Sequence, residues 1–133
     1  MSRTLEELEA QSKVVEVRGD VPLVASTLEA LGIYEQVATS CATAMTAQGG
    51  MADAVNAALS SASVAAAARS VITRGGGEDS GLERQLLEAA ITACERSERL
   101  CGAHAGHHEH CRIHSGVAID TVAACKALLA ELG

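Results

Sequence analysis

The sequence predicts an all-α fold, an antiparallel up-down-up-down four-helix bundle preceded by a short N-terminal arm. Three observations carry that expectation. Apolar residues make up 48% of the 133, most of them Ala, Leu and Val, and Ala and Leu head the helix-propensity scale. Pro22 is the single proline, so nothing beyond it interrupts a helix. Phe and Trp are absent and Tyr34 is the only aromatic residue. A core without large rings needs elements that approach closely, as Ala-rich helices do.

Taken in chain order, Thr4-Leu5-Glu6-Glu7 fits a capping box, with Thr4 as cap and Glu7 reaching back. It predicts a short helix within an arm of residues 1–19, followed by an extended Lys13–Arg18. Asp20 and Pro22 mark the start of the first long helix, from Val21 to about Ala47 with an irregularity expected at Gly32. Gly49 and Gly50 make a sharp turn, and the second long helix runs from Met51 to Arg74. The run Gly75-Gly76-Gly77-Glu78-Asp79-Ser80-Gly81 reads as a flexible connector. Ser80 and Glu83 form a second capping box and open the third helix, which Gly106 stops after Ala105. The fourth starts near His107 and continues to Leu132. Residues 20–133 thus make one bundle domain. Helices of about 24 residues are about 36 Å long, and short connections set neighbours antiparallel.

Composition excludes several function classes. A net charge of −7 argues against nucleic acid, whose phosphates call for clustered Lys and Arg. No uninterrupted apolar run approaches the ~20 residues that span a bilayer. MSRTLEELEAQSK is charged and has no apolar h-region, so no secretory signal is expected and a cytoplasmic address is. There the five cysteines stay reduced, and no two form a C-x-x-C pair. Reduced thiols of this kind are metal ligands, a reactive site or core filler.

The third and fourth helices carry polar residues on their inward stripes. Leu87, Ile91, Cys94, Ser97, Cys101 and His104 recur at spacings of three and four, as do His107, His110, Cys111, His114, Ala118, Thr121 and Cys125. Such spacing places each set on one helix face. All five histidines fall between His104 and His114, in and beside Cys101-Gly-Ala-His-Ala-Gly-His-His-Glu-His-Cys111. Imidazole with thiolate is the ligand set of zinc and copper. In an up-down-up-down bundle the first and third turns share one end, which brings Cys41, Met45 and Met51 to the same mouth. Cys94 lies roughly 10 Å deeper, and Cys125 deeper still, where core filler is its simpler reading.

Thiolate and thioether are soft and favour Cu(I); Zn(II) accepts Cys and His equally. The expected ligands are Cys41, Cys101, Cys111, His104 and His108, with Met45, Met51 and Cys94 assisting. His107 and His110 read as caps or solvent-facing residues, and His114 as either a ligand or a hydrogen-bonded core histidine. A di-iron bundle needs paired Glu-x-x-His motifs, which are absent, and a thiol oxidoreductase usually shows a C-x-x-C. The chain therefore reads as a non-enzyme.

The run Cys94…Cys101…His104…His107-His108-Glu109-His110-Cys111…Cys125 resembles the C-terminal helical hairpin of the cysteine-rich four-helix-bundle copper storage proteins. The similarity is clearest from Leu86 to Leu129 and extends through Tyr34 to Arg74. It implies a bundle that associates into a tetramer, a homo-oligomer holding Cu(I) along a thiolate-lined core, with the metal admitted at the His-bearing mouth. Where such proteins carry Cys, this chain has Met45, Ser61, Ala65, Ser97, His114, Ala118 and Thr121. Five thiols cannot line a storage tube, so the expected function is low-capacity metal binding. Its rival is a metal-free oligomeric scaffold that kept the bundle and lost the thiols.

Overall fold

A computed structural model describes residues 2–75 and 80–132, and its regular structure is entirely helical. The helices are α1 (Arg3–Ser12), α2 (Val21–Gln48), α3 (Ala52–Arg74), α4 (Gly81–Gly102) and α5 (Glu109–Leu132). The four long ones close a ring: α2 packs on α3, α3 on α4, α4 on α5, and α5 back on α2, with α1 laid against α2. The Gly76–Asp79 part of the expected glycine-rich connector lies outside the described residues.

Local chemistry accounts for most of the helix ends. Asp20 has the extended backbone of an N-cap, its carboxylate accepts from the Leu23 N–H at 3.2 Å, and Pro22 sits in the first turn. The α2–α3 turn uses Gly49 and Gly50 at φ of 77° and 76°, a region that side chains with a Cβ avoid. Both expected capping boxes differ from what forms. Ser2, not Thr4, caps α1 and accepts from the Leu5 N–H at 3.0 Å. Ser80 has a backbone near φ −91°, ψ 7°, away from the extended geometry in which a capping hydroxyl meets the helix. Its Oγ is 3.5 Å from the Leu132 carbonyl, while buried Glu83 pairs with Arg18 at 2.7 Å.

Two further expectations are corrected. α2 runs unbroken through Gly32, where a Cβ would meet the Arg69 guanidinium at 3.4 Å. Gly32 thus lies beneath the Arg69–Glu35 ion pair with room for a Cβ at ordinary contact distance. α4 ends at Gly102, three residues early, and α5 begins at Glu109. The His104 and Ala105 N–H groups turn back to the Cys101 and Gly102 carbonyls at 3.0 and 3.1 Å. These three-residue steps tighten the chain and end the helix. His104, His107 and His108 thus lie in the connecting turn and not on helices. Lys13–Arg18 forms no strand; a turn at Lys13-Val14 leads into irregular backbone.

The core is built of small side chains. Ala38, Ala58, Ala65, Ala68, Ala90 and Ala118 are all fully buried, with Leu31, Tyr34, Met45 and Leu87 the large groups among them. α3 and α5 are long and apolar enough to cross a bilayer by length and composition. Their inner faces pack within the ring, and Asp53, Arg74, Asp120 and Lys126 are exposed on the outer ones. Buried hydroxyls are satisfied locally: Thr27 and Thr121 donate to carbonyls four residues back at 2.8 Å each.

A core of this kind tolerates no enlargement. Ala58→Leu should cost about 1–3 kcal/mol, read as a lower urea midpoint with helicity retained in buffer. Ala67→Leu, on the exposed face of the same helix, should stay within about 0.5 kcal/mol. Equal effects at the two positions would contradict this account of the packing.

Candidate metal centre

Cys41 lies two turns before the end of α2, Cys101 in the last turn of α4 and Cys111 in the first turn of α5. Each sits on the inward stripe of its helix, and all three thiols are free and buried. The ligand atoms of Cys41, Cys101 and His114 lie within 4.8 Å of one another, as do those of Cys41, His110 and Cys111. The Cys41 sulfur belongs to both trios. A third group, His104, His107 and His108, gathers its imidazole nitrogens within 4.8 Å in the α4–α5 turn.

The expected ligand set is therefore divided. Cys41, Cys101 and Cys111 come together, accompanied by His110 and His114. His104 and His108 meet each other and His107, with ring centroids 4.6 to 5.9 Å apart. His108 also stacks on His110 at 5.3 Å, so this trio, with His107 exposed and the other two half-buried, adjoins the buried thiols. Met45 is fully buried one turn beyond Cys41, and Met51 is buried just before α3. Cys94 is buried two turns before Cys101 on α4, beside Tyr34. Cys125 is buried further from the trios, with Cys94 the nearest charge acting on it.

His114 occupies the centre of a polar network that sequence reasoning did not assemble. Its Nε2 is 2.9 Å from Ser97 Oγ and 3.1 Å from Tyr34 Oη, and its Nδ1 is 3.9 Å from Cys101 Sγ. Counting protons orients the set. Ser61 Oγ donates to the Ala58 carbonyl at 3.0 Å, so at 2.7 Å it accepts the Tyr34 proton. The Tyr34 oxygen then accepts from His114 Nε2–H. Nδ1 is left facing Cys101, and displacing the one proton shared by that pair frees both as ligands. The signal in sequence was the i, i+3 spacing of Cys111 and His114; the partners Tyr34 and Ser61 come from other helices. His110 carries a second clue, because its Nε2 is buried with no hydrogen-bond partner among the described residues.

Electrostatics distinguish the thiols. The Cys41 thiol donates to the Cys101 sulfur, and this holds Cys101 well below the ordinary thiol range; burial opposes the effect and His114 and Ser97 reinforce it. Cys41 is held far above that range by the same hydrogen bond, then by burial and by the charge of Cys101. Burial pushes Cys94 up to about 11, Cys125 to about 12, and Cys111 above its usual value. At the surface, partial loss of hydration and then the neighbouring His107, His110 and His104 keep His108 below the ordinary imidazole value. The arrangement offers soft, partly ionised thiolates backed by imidazole, a donor set for a soft metal ion.

The sequence profile of the copper storage protein family matches residues 23–130. No curated protein sequence is significantly similar to the chain. Among solved structures, the copper storage protein of Streptomyces lividans loaded with 10 copper equivalents superposes with a TM-score of 0.87 at 26% identity. The match covers 96% of this chain and 98% of that one. A cytosolic copper storage protein from the same organism, holding five coppers, matches at TM-score 0.79 and 30% identity over 84% of this chain and 96% of its own. A histidine-to-alanine variant of the Streptomyces protein gives 0.80 and 30%, covering 86% and 98%.

The raised thiols make stability depend on pH. A thiol titrating higher in the fold than its unfolded value of ~8.5 stabilises the fold below that pH and loses the effect as pH rises through the folded value. Metal-free protein should therefore lose stability from about pH 8.5 towards the folded values of about 11 and about 12 for Cys94 and Cys125. Urea midpoints across this range measure it, and Cys94→Ala with Cys125→Ala should flatten the decline. An unchanged slope in the double variant would rule out these two thiols as its source.

Proposed function

The chain belongs to the copper storage protein family, and from that premise we propose that it is a low-capacity Cu(I)-binding protein and not an enzyme. The single observation carrying this reading is the convergence of Cys41, Cys101 and Cys111 with two imidazoles in a buried pocket. Buried thiolates attract a soft cation, and Cu(I) prefers them to any hard ligand. Zn(II) accepts the same donors and is the competing ion. Cys41, Cys101 and Cys111 coordinate, joined by His110 and His114, with Met45, Met51 and Cys94 lining the surroundings. His104, His107 and His108 form the hydrated collar through which the ion arrives.

The helices form an antiparallel up-down-up-down bundle on residues 20–133, with residues 1–19 as an arm. Contacts at the opposite end support this direction: the Asp20 N–H donates to Glu131 at 2.8 Å, joining the start of α2 to the end of α5. By the likeness to the cytosolic Streptomyces protein, the chain works in the cytosol, buffering copper, as a homo-oligomer that the family resemblance makes a tetramer.

Capacity is low because most of the remaining inward positions hold no thiol. Ser61, Ala65, Ser97, Ala118 and Thr121 are all buried where a storage tube would carry Cys. Their close packing also favours the second reading, a metal-free oligomeric scaffold. An anaerobic Cu(I) titration of reduced protein against a chromophoric Cu(I) chelator decides between the two. Tight uptake of one or a few ions per chain is expected. Replacing Cys101 and Cys111 together with Ser should abolish it with helicity intact, and undiminished affinity in that variant would sink the ligand assignment. No competition with the chelator by the unsubstituted chain would leave the scaffold as the reading.

A further inference from the structure

We propose that the three thiols hold two Cu(I) ions sharing the Cys41 sulfur, the inner ion completed by Cys101 and His114 Nδ1 and the outer by Cys111 and His110 Nε2. The inference rests on the copper reading above and adds a stoichiometry and a bridging atom to it.

Geometry is the first support. The five donors do not form one cluster; they form two trios whose common member is Cys41, each trio spanning at most 4.8 Å. A three-coordinate ion with bonds of ~2.0–2.3 Å, the lengths seen for imidazole and thiolate on zinc, sets its ligands about 3.5–4 Å apart. Each trio therefore closes on an ion by side-chain movements of about an ångström or less. A single ion can occupy only one trio.

The imidazoles supply the second support. Tyr34 and Ser97 hold the Nε2–H of His114, which leaves Nδ1 to face Cys101. A ligating histidine is commonly fixed in this way through its other nitrogen. His110 has the complementary feature of a buried Nε2 with no hydrogen-bond partner among the described residues. A buried polar atom without a partner is costly, and an outer ion removes that cost. One ion in the inner trio leaves His110 as it is.

Charge is the third. Each trio holds two cysteines with Cys41 common to both, so the inner ion displaces the protons of Cys41 and Cys101 and the outer one displaces only that of Cys111. The site then carries one net negative charge with one ion or with two, so the second ion adds no uncompensated charge to a low-dielectric interior that penalises it. Each ion enters as a monovalent cation and each thiol bound as thiolate releases its proton to solvent; no electron is transferred.

The test counts ions retained by reduced protein against a chromophoric Cu(I) chelator, by native mass spectrometry, together with X-ray absorption on the loaded protein. Two ions per chain and a copper–copper scattering path are expected. Cys41→Ser should lose both ions, whereas Cys101→Ser and Cys111→Ser should each retain one. One ion per chain, three or more, or two without copper–copper scattering overturns the shared-sulfur site while leaving copper binding intact. Retention of an ion by Cys41→Ser likewise overturns it. No ion at all overturns the copper reading itself. The scattering measurement uses the unsubstituted chain, so it decides the matter even if a serine variant fails to fold.

Discussion

Because Phe and Trp are missing, the four long helices can be held together only by approaching one another closely. Alanine makes the approach possible, and the approach in turn fixes what the interior admits. Close-packed interiors leave few voids, so the inward positions here are largely small, with a few Leu and Met side chains between them. Tyr34 is the largest, and its hydroxyl is placed where three polar side chains already converge. The thiols follow the same rule: a cysteine is small enough for an alanine-lined seam. Cys41, Cys101 and Cys111 meet because the seam is narrow where α2, α4 and α5 bring them together.

Polarity inside so tight a core has to be resolved bond by bond. Thr27, Thr121 and Ser61 return their hydroxyl protons to their own helices. Tyr34 passes its proton to Ser61 on another helix, and the oxygens of Tyr34 and Ser97 both face His114 Nε2. The result is a chain of determined donors and acceptors ending at the Cys101 sulfur. A buried network with its members satisfied is rigid, and rigidity is what a binding site gains from it: the ring that faces the thiols is held in one orientation before any ion arrives. His104, His107 and His108 have no such support. They sit in a hydrated turn, where exchange with solvent ligands is easy.

Helix content and order were legible in the sequence, because Ala-rich segments punctuated by Gly pairs leave little else for the backbone to do. The ends were less so. Thr4 and Ser80 carried the right residue types for caps, but Ser2 reached the α1 N–H groups first, and Ser80 was drawn toward the end of α5. Gly106 looked like the stop for α4, yet the chain had already tightened after Cys101. That shift moved His104 and His108 off the helices and into the turn, where they gather with His107 beside the thiols. The convergence of Cys41, Cys101 and Cys111 was readable because it depends only on which helix ends meet. For His114 the sequence left open a ligand or a hydrogen-bonded core histidine, because its partners Tyr34 and Ser97 come from other helices, and the approach of His110 to Cys41 was not readable for the same reason.

The division between exposed nitrogen and buried sulfur bears on how an ion is handled. Imidazoles in water compete weakly for a soft cation against thiolates, so in the proposed function the collar would hold an ion loosely and the interior would hold it firmly. His108, stacked on His110 at 5.3 Å, is the point where one environment gives way to the other, and Cys41 is common to everything beyond it. Deeper along the bundle the inward positions are Ser97, Thr121 and Ala118, and Cys94 and Cys125 remain protonated behind them through the ordinary pH range. The same small side chains that leave the core with few thiols thus leave the proposed site at the end where the imidazoles of the α4–α5 turn meet solvent.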